Sequence, residues 1–319
     1  MAPEERKNIL IVTLSNIGDV ILTTPVIASL RATFPQARFT VVAGPKAAGL
    51  LQGSRMIDRL LIYDKRAGLA HKLKLVRALR EEFYDWAIDL RNSAIPYLVR
   101  ADRRSPIFRA HREKSARKRH LEVLTMTRLP VTESGGFDFF SAEDEATLAE
   151  KLQRWGFPLA KGCGVVAPGA GSEAKRWRIE GFREVVSRWV ADFPFPVFAV
   201  GDSQEVSLGE KLASVNPSRV VNLAGLLTLR ECAALVSRSS LILTNDSAVM
   251  HLGYELGRPV VALFGPTDPE KYGRESEIWK IVREPDFQNL SADRVYKACG
   301  TLLGKSRENL GAALPGVRS

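Results

Sequence analysis

Residues 8–20 read NILIVTLSNIGDV, and the fold turns on how that run breaks. Residues 8–14 are aliphatic and β-branched. They give way to Ser15, Asn16, Gly18 and Asp19, and then to a helical pattern. An apolar strand that ends in a small polar turn before a helix belongs to a parallel sheet covered on both faces. The same rhythm recurs at 38–43, 60–63 and 85–90, with helix-period segments at about 25–33, 46–52 and 68–83. A second series begins at 164–167 and continues at 196–201, 219–223, 241–245 and 259–264. Helical patterns fill its gaps at about 179–192, 204–214, 228–237 and 247–256. The expected class is α/β: two Rossmann-like domains with parallel sheets, and a cleft between them as the ligand site.

Between the two series, residues 130–141 read as a loop and about 142–155 as an acidic amphipathic helix, with Ser141 or Asp144 as its N-cap. Gly156, Pro158 and Gly162 punctuate its end, so the boundary is expected at 157–162, giving domains 1–157 and 158–319. A last helix at about 291–304 has the choice of packing on either domain.

Composition narrows the function classes. The chain has 319 residues, 45% hydrophobic and 26% charged, with a net charge of +10. The apolar fraction argues against disorder. No apolar run approaches the roughly 18 residues of a spanning helix, and the start MAPEERK lacks a signal-peptide core. Cys163, Cys232 and Cys299 are too few and too scattered for a disulfide framework or a metal cluster. A cytoplasmic, reduced protein is expected. Most of the charge excess lies in residues 91–128, where eleven Lys and Arg face three acids. One anion-facing segment is thus expected in place of a uniformly basic coat.

Three motifs carry chemistry. The loop after the first strand opens at the carboxyl edge of a parallel sheet, where ligands bind. There Gly18 permits a tight turn, and Asp19 either faces the ligand or caps a helix. Thr24 and Pro25 suit the N-cap and first position of the helix that follows. In the second series, Pro168-Gly169-Ala170-Gly171-Ser172 forms a small-residue loop between strand and helix. Its amides and the helix N-terminus suit a phosphate, with Lys175 either adding charge to it or standing as a solvated lysine. Gly169-x-Gly171-x-x-Ala174 imitates a dinucleotide fingerprint. However, Lys175-Arg176-Trp177 separates it from the helix, and the next strand-end acid, Asp202, lies some thirty residues on where about twenty are expected. Third, Asn245-Asp246-Ser247 ends a strand, where Asp246 and Ser247 either cap the next helix or face the ligand. His251, within that helix, reads as packed or hydrogen-bonded. No His or Cys stands at metal-ligand spacing, so no metal is expected.

Taken in order, LSNIGDVILTTP, APGAGSEAKRW, and NDSAVMHL followed by LFGPTDP resemble glycosyltransferase family 9, the ADP-heptose:lipopolysaccharide heptosyltransferases and their relatives. The likeness spans roughly residues 8–275. It implies a GT-B fold with the donor nucleotide mainly on the second domain and the acceptor on the first. It also implies an inverting, metal-independent transfer of heptose from ADP-heptose to an anionic lipopolysaccharide inner-core acceptor, with no cofactor. Asp19 matches the general base and Lys175 the lysine that meets the donor diphosphate. Gly169, Gly171 and Ser172 belong to the donor loop, and Asp246, Ser247 and Ala248 to the donor-binding strand end. Glu205 is the match for the acid that holds the ribose. On the acceptor side the resemblance implies Ser15, Gly18, Arg103, Arg104 and Arg109. The chain departs from the common family pattern at Thr13, often basic, at Ala170 and Gly171, often Thr or Ser, and in the run HLGYELG.

Read this way, the clustered basic loop at 100–120 meets phosphates and carboxylates of a glycolipid at the inner leaflet, with peripheral attachment to that membrane. Three alternatives stay open. One is a family member using another nucleotide sugar or another surface-glycan acceptor. A second is a nucleic-acid-binding protein using the 100–120 segment, although Phe108 is its one aromatic and stacking needs more. The third is an NAD-linked oxidoreductase, weakened by the failed fingerprint.

Overall fold

A computed structural model describes residues 6–132, 135–157 and 162–311, with side chains as far as residue 304. The chain divides into two compact units, Met1–Ser141 and Ala142–Ser319. The first runs β1 (Asn8–Val12), α1 (Ile17–Ile21), α2 (Thr24–Thr33), β2 (Arg38–Ala43), α3 (Pro45–Leu51), β3 (Arg59–Ile62), α4 (Leu69–Arg80), β4 (Phe83–Asp89), α5 (Ile95–Leu98), β5 (Arg100–Arg104) and α6 (Ala116–Met126). The second opens with α7 (Ala142–Arg154), β6 (Cys163–Ala167), a 3-10 turn (Glu173–Lys175), α8 (Ile179–Asp192), β7 (Val197–Ala199), α9 (Val206–Ala213) and β8 (Val220–Asn222). It continues with α10 (Leu229–Ser237), β9 (Ser239–Asn245), α11 (Ala248–Glu255), β10 (Val260–Phe264), α12 (Pro269–Tyr272), β11 (Trp279–Arg283) and α13 (Ala292–Gly311).

Both sheets are parallel, in the orders β3-β2-β1-β4-β5 and β11-β10-β9-β6-β7-β8. Ile9 to Val12 of β1, and every residue of β6 and β10, are buried. This is why these runs are apolar throughout and do not alternate: helices cover both faces. In α8, Phe182, Val185, Val186 and Trp189 recur at helical spacing and are fully buried. That stripe removes about 6–12 kcal/mol worth of apolar surface from water before entropy is charged against it. Each sheet reverses its winding once, at β1/β4 and at β6/β9, and crevices open at the carboxyl ends of such strand pairs.

The structure corrects several expectations. Two strands were not foreseen, β5 and β11, and both lie at sheet edges. Their sequences, RADRR and WKIVR, carry the charges with which edge strands discourage pairing. Only the single turn of α5 precedes β5. The basic segment 100–120 is therefore no loop: it comprises β5, a connection and the start of α6. Gly18 lies inside α1 and is not among the positive-φ glycines, so no tight turn explains it.

The units part at 141/142, ahead of the expected boundary, most of which (158–161) falls outside the described residues. The reason is the way α7 is seated on α10. Asp144 pairs with Arg230 at 2.9 Å, Glu145 with Arg238 at 2.6 Å, and Lys151 with Glu231 at 2.7 Å, while Leu148 and Leu152 are buried. Asp144 is thus an ion-pair partner inside the helix. In α13, Val295, Cys299, Leu302 and Leu303 sit in the core of the second unit, so the described part of the last helix packs there. No helix among the described residues is long and apolar enough to cross a membrane.

Glu231 closes a capping box with Thr228 as well as holding Lys151. Glu231→Ala is expected to cost about 2 kcal/mol, combining a lost cap with a lost charge-assisted hydrogen bond to a part-exposed lysine. A urea unfolding curve, read as a lowered midpoint, checks it.

Candidate functional site

In the second unit the loop after β6 and the end of β9 meet at the reversal point. Lys175 Nζ donates to Asp246 Oδ2 at 2.8 Å; the carboxylate is buried and the lysine part-exposed. The ammonium also stands 5.6 Å from the centroid of the Tyr272 ring. Asn245, fully buried, ties the loop at both ends. Its Nδ2 donates to the Pro168 carbonyl at 2.8 Å and the Gly169 carbonyl at 3.3 Å, and its Oδ1 accepts from the Trp177 amide at 3.1 Å. Arg176 donates from Nε and Nη2 to the Ala170 carbonyl. Trp177 anchors the exit, its ring N–H donating to the Leu290 carbonyl at 3.2 Å.

Glu205, at the start of α9, comes to the same loop. Its Oε2 accepts from the Asp202 amide at 3.0 Å, and its carboxylate also takes the Ala170 amide. A Cβ on Gly169 would overlap that carboxylate, whereas a Cβ on Gly171 would meet open space. The two glycines, alike in the sequence, thus differ: Gly169 is required by the approach of Glu205. Burial raises the Glu205 pKa above the ordinary glutamate value, with the Asp202 charge adding to it.

Two expectations about helix termini change. A 3-10 turn intervenes after the loop and α8 starts only at Ile179, so its N-terminus does not abut Gly171 and Ser172. Neither Asp246 nor Ser247 caps α11: Asp246 holds Lys175, and Ser247 Oγ is bonded to Thr244 Oγ1 at 2.8 Å. Ser247 still sits at the N-cap position and Ala248 opens the helix. His251 is buried in α11 against Tyr272, and burial keeps its ring neutral, with a pKa of about 4. Cys163 and Cys299 are buried, and burial raises both thiols, Cys163 to about 12. These are poor nucleophiles.

In the first unit, the reversal point joins the loop after β1 to the end of β4. Asp19 lies in the first turn of α1, where its Oδ2 accepts from Asn16 Nδ2 at 2.9 Å. Ser15 Oγ is buried without a partner, and Gly44 makes room for the backbone of Ser15, since a Cβ at Gly44 would strike it. At the end of β4, the Asp89 carboxylate accepts the Arg91 and Ser93 amides, and its carbonyl accepts from Arg109. Arg109 therefore comes to the same sheet edge as Asp19. Arg103 and Arg104 lie on β5 instead. Arg104 donates to the carbonyls of Pro96 and Val99, and Arg103 stays largely exposed, its guanidinium 5.5 Å from the Trp86 ring. His120, close to Arg109 and His111, is kept neutral by burial and by those charges, at about 4.

Sequence reasoning quoted Asn245 within its motif but gave it no role. The signal was there: an amide that ends the apolar strand SSLILTN. Asn245→Ala would leave two carbonyls and one amide without their partner, an expected loss of roughly 2–4 kcal/mol. Chemical denaturation measures the loss, and hydrogen exchange should quicken chiefly within 168–177.

Comparison with known proteins agrees with this architecture. The family model described as "Glycosyltransferase family 9 (heptosyltransferase)" matches residues 72–297. The chain is 25% identical to the lipopolysaccharide core heptosyltransferase OpsX of Haemophilus influenzae, over 88% of this chain and 85% of that one. It is likewise 25% identical to lipopolysaccharide heptosyltransferase 2 of Escherichia coli, over 86% and 87%. Among solved structures, a glycosyltransferase family 9 protein from Veillonella parvula superposes with a TM-score of 0.80 at 23% identity, covering 94% of this chain and 97% of that one. The fold is accordingly that of GT-B heptosyltransferases. The chain is a glycosyltransferase and belongs to family 9, the heptosyltransferase family.

Proposed function

We infer that this chain transfers a heptose from ADP-heptose to an anionic acceptor of the lipopolysaccharide inner core, with inversion and without a metal. The observation that carries the reading is the Lys175–Asp246 pair beside a tied-down small-residue loop. Asp246 holds the ammonium at the loop, where a diphosphate can exchange for it or share it. Loop amides and the ammonium supply fixed donors for the charge that develops on the leaving nucleotide. Glu205, facing the same loop, is the acceptor for ribose hydroxyls. The sugar and the acceptor class come from relatives, whose names include an ADP-heptose heptosyltransferase and a lipopolysaccharide core heptosyltransferase.

The chemistry assigned to Asp19 is general base catalysis. The acceptor oxygen forms a bond to the anomeric carbon as its proton passes to the Asp19 carboxylate, and the bond from that carbon to the diphosphate oxygen breaks. ADP leaves with the electron pair, and the back-side attack inverts the centre. On the acceptor side, Ser15, Arg109 and the exposed Arg103 offer a hydroxyl and two guanidiniums for carboxylates and phosphates. The reaction fits a cytoplasmic enzyme working at the face of a membrane.

Asp19→Asn should lower transfer about 10²- to 10⁴-fold with ADP binding unchanged; full activity in the variant would remove Asp19 from the role. Lys175→Ala should weaken ADP binding by roughly ten- to a hundredfold, as expected for charge-assisted hydrogen bonds to phosphate. A melting curve of the unliganded variant separates that effect from lost stability. The reading as a whole is tested by thermal stabilisation with a panel of nucleotide sugars: ADP-heptose should stabilise, and preference for a UDP- or GDP-sugar would sink the donor assignment.

A further inference from the structure

Helix α4 has two apolar faces where its place over the sheet accounts for one. Leu75 and Leu79 turn inward and join Ile95 and Val99 in the core. Leu69 and Leu73, one turn apart, are 71% and 60% exposed. Leu73 and Leu75 are two residues apart, about 200° around the helix, so the exposed pair cannot share the buried stripe. The neighbouring α5 adds Tyr97 and Leu98, which are 52% and 49% exposed. The crossovers β3 to β4 and β4 to β5 advance in the same direction along the sheet. Right-handed connections therefore put α4 and α5 on one face, where they pack together.

The charge on this segment is one-sided. Residues 65–80 hold Lys65, Arg66, Lys72, Lys74, Arg77 and Arg80 and no acid. Among the described residues, none of the six enters an ion pair with a carboxylate. The basic stretch further on differs. There Arg104, Arg109 and Arg119 donate to backbone carbonyls, and Lys118 pairs with Glu113. Unpaired cations around a solvent-facing leucine pair make a surface that water does not favour and a polyanion alone would not use in full. An anionic bilayer interface answers both parts: it takes leucine side chains to the acyl boundary and presents phosphates to the lysines.

We propose that the outer face of α4, extended by α5, docks this chain on an anionic lipid bilayer. Leu69 and Leu73 enter the interfacial layer, and Lys74, Arg77 and Arg80, all exposed, meet the headgroup phosphates. This rests on the reading of a transfer reaction at a membrane face, and the surface includes none of Asp19, Lys175, Glu205 or Asp246.

Co-sedimentation of the full chain with vesicles tests this, using phosphatidylcholine alone and phosphatidylcholine mixed with phosphatidylglycerol. The chain should bind the mixed vesicles, less as salt rises, and not the neutral ones. Leu69→Ser with Leu73→Ser should weaken binding on the order of tenfold, and Lys74→Glu with Arg77→Glu at least as much. Both pairs lie at the surface, so melting temperature and ADP affinity should not change. Trp155→Ser with Leu226→Ser, which alters exposed apolar residues of the second unit, should bind as the wild type does. The proposal is overturned if the wild type ignores mixed vesicles, or if the leucine variant binds them undiminished. It is also overturned if the Trp155/Leu226 variant is the one that loses binding. ADP affinity, measured in parallel, reports on the donor site whatever the vesicles show.

Discussion

Parallel pairing of β1 with β4, and of β6 with β9, brings together the carboxyl ends of strands that lie far apart in the chain. At these two junctions successive crossovers leave in opposite directions, so helices do not close over the strand ends and backbone amides stay accessible. The polar motifs of the chain collect there. The Asp19 loop and the end of β4 share one junction; the 168–172 loop and Asn245, Asp246 and Ser247 share the other. Move either pairing by one residue and each side chain passes to the opposite face of its sheet.

The loop in the second unit is held by its surroundings. Small residues let the backbone come close, but they leave it a large conformational entropy to lose. Asn245 at both ends, Arg176 on the Ala170 carbonyl and Glu205 on the Ala170 amide remove most of that freedom before any ligand arrives. A loop fixed in this way would not have to reorganise around a bound ligand. The Lys175–Asp246 pair follows the same logic, because a buried carboxylate fixes a long side chain whose rotamers would otherwise be free.

The net charge of +10 is concentrated in residues 91–128, yet not every cation there faces solvent. Of the nine Lys and Arg at 100–120, Arg104, Arg109 and Arg119 hold backbone carbonyls, so a third of that cluster braces the fold. Its sequence concealed this, because a guanidinium that braces a carbonyl is written the same way as one that awaits a ligand. Edge strands were missed for a related reason. β5 and β11 have a partner on one side only, so they can carry Arg and Lys, and their apolar signal is weak.

Apolar strands alternating with amphipathic helices were enough to specify two parallel α/β units. The reason is that burial on both faces demands continuous aliphatic runs, and only short polar loops can end them. The ordered motifs around Asp19, Lys175 and Asp246 were equally legible, since each sits in one local run at a strand end. Tertiary structure alone decided that Lys175 pairs with Asp246, that Glu205 is the reason for Gly169 but not for Gly171, and that Asn245 fastens the loop. It alone decided, too, that α7 belongs with the second unit. These are contacts between residues distant in the chain. Hydrophobic period and turn chemistry report on neighbours within a few residues, so they carry no record of which strand end will lie beside which.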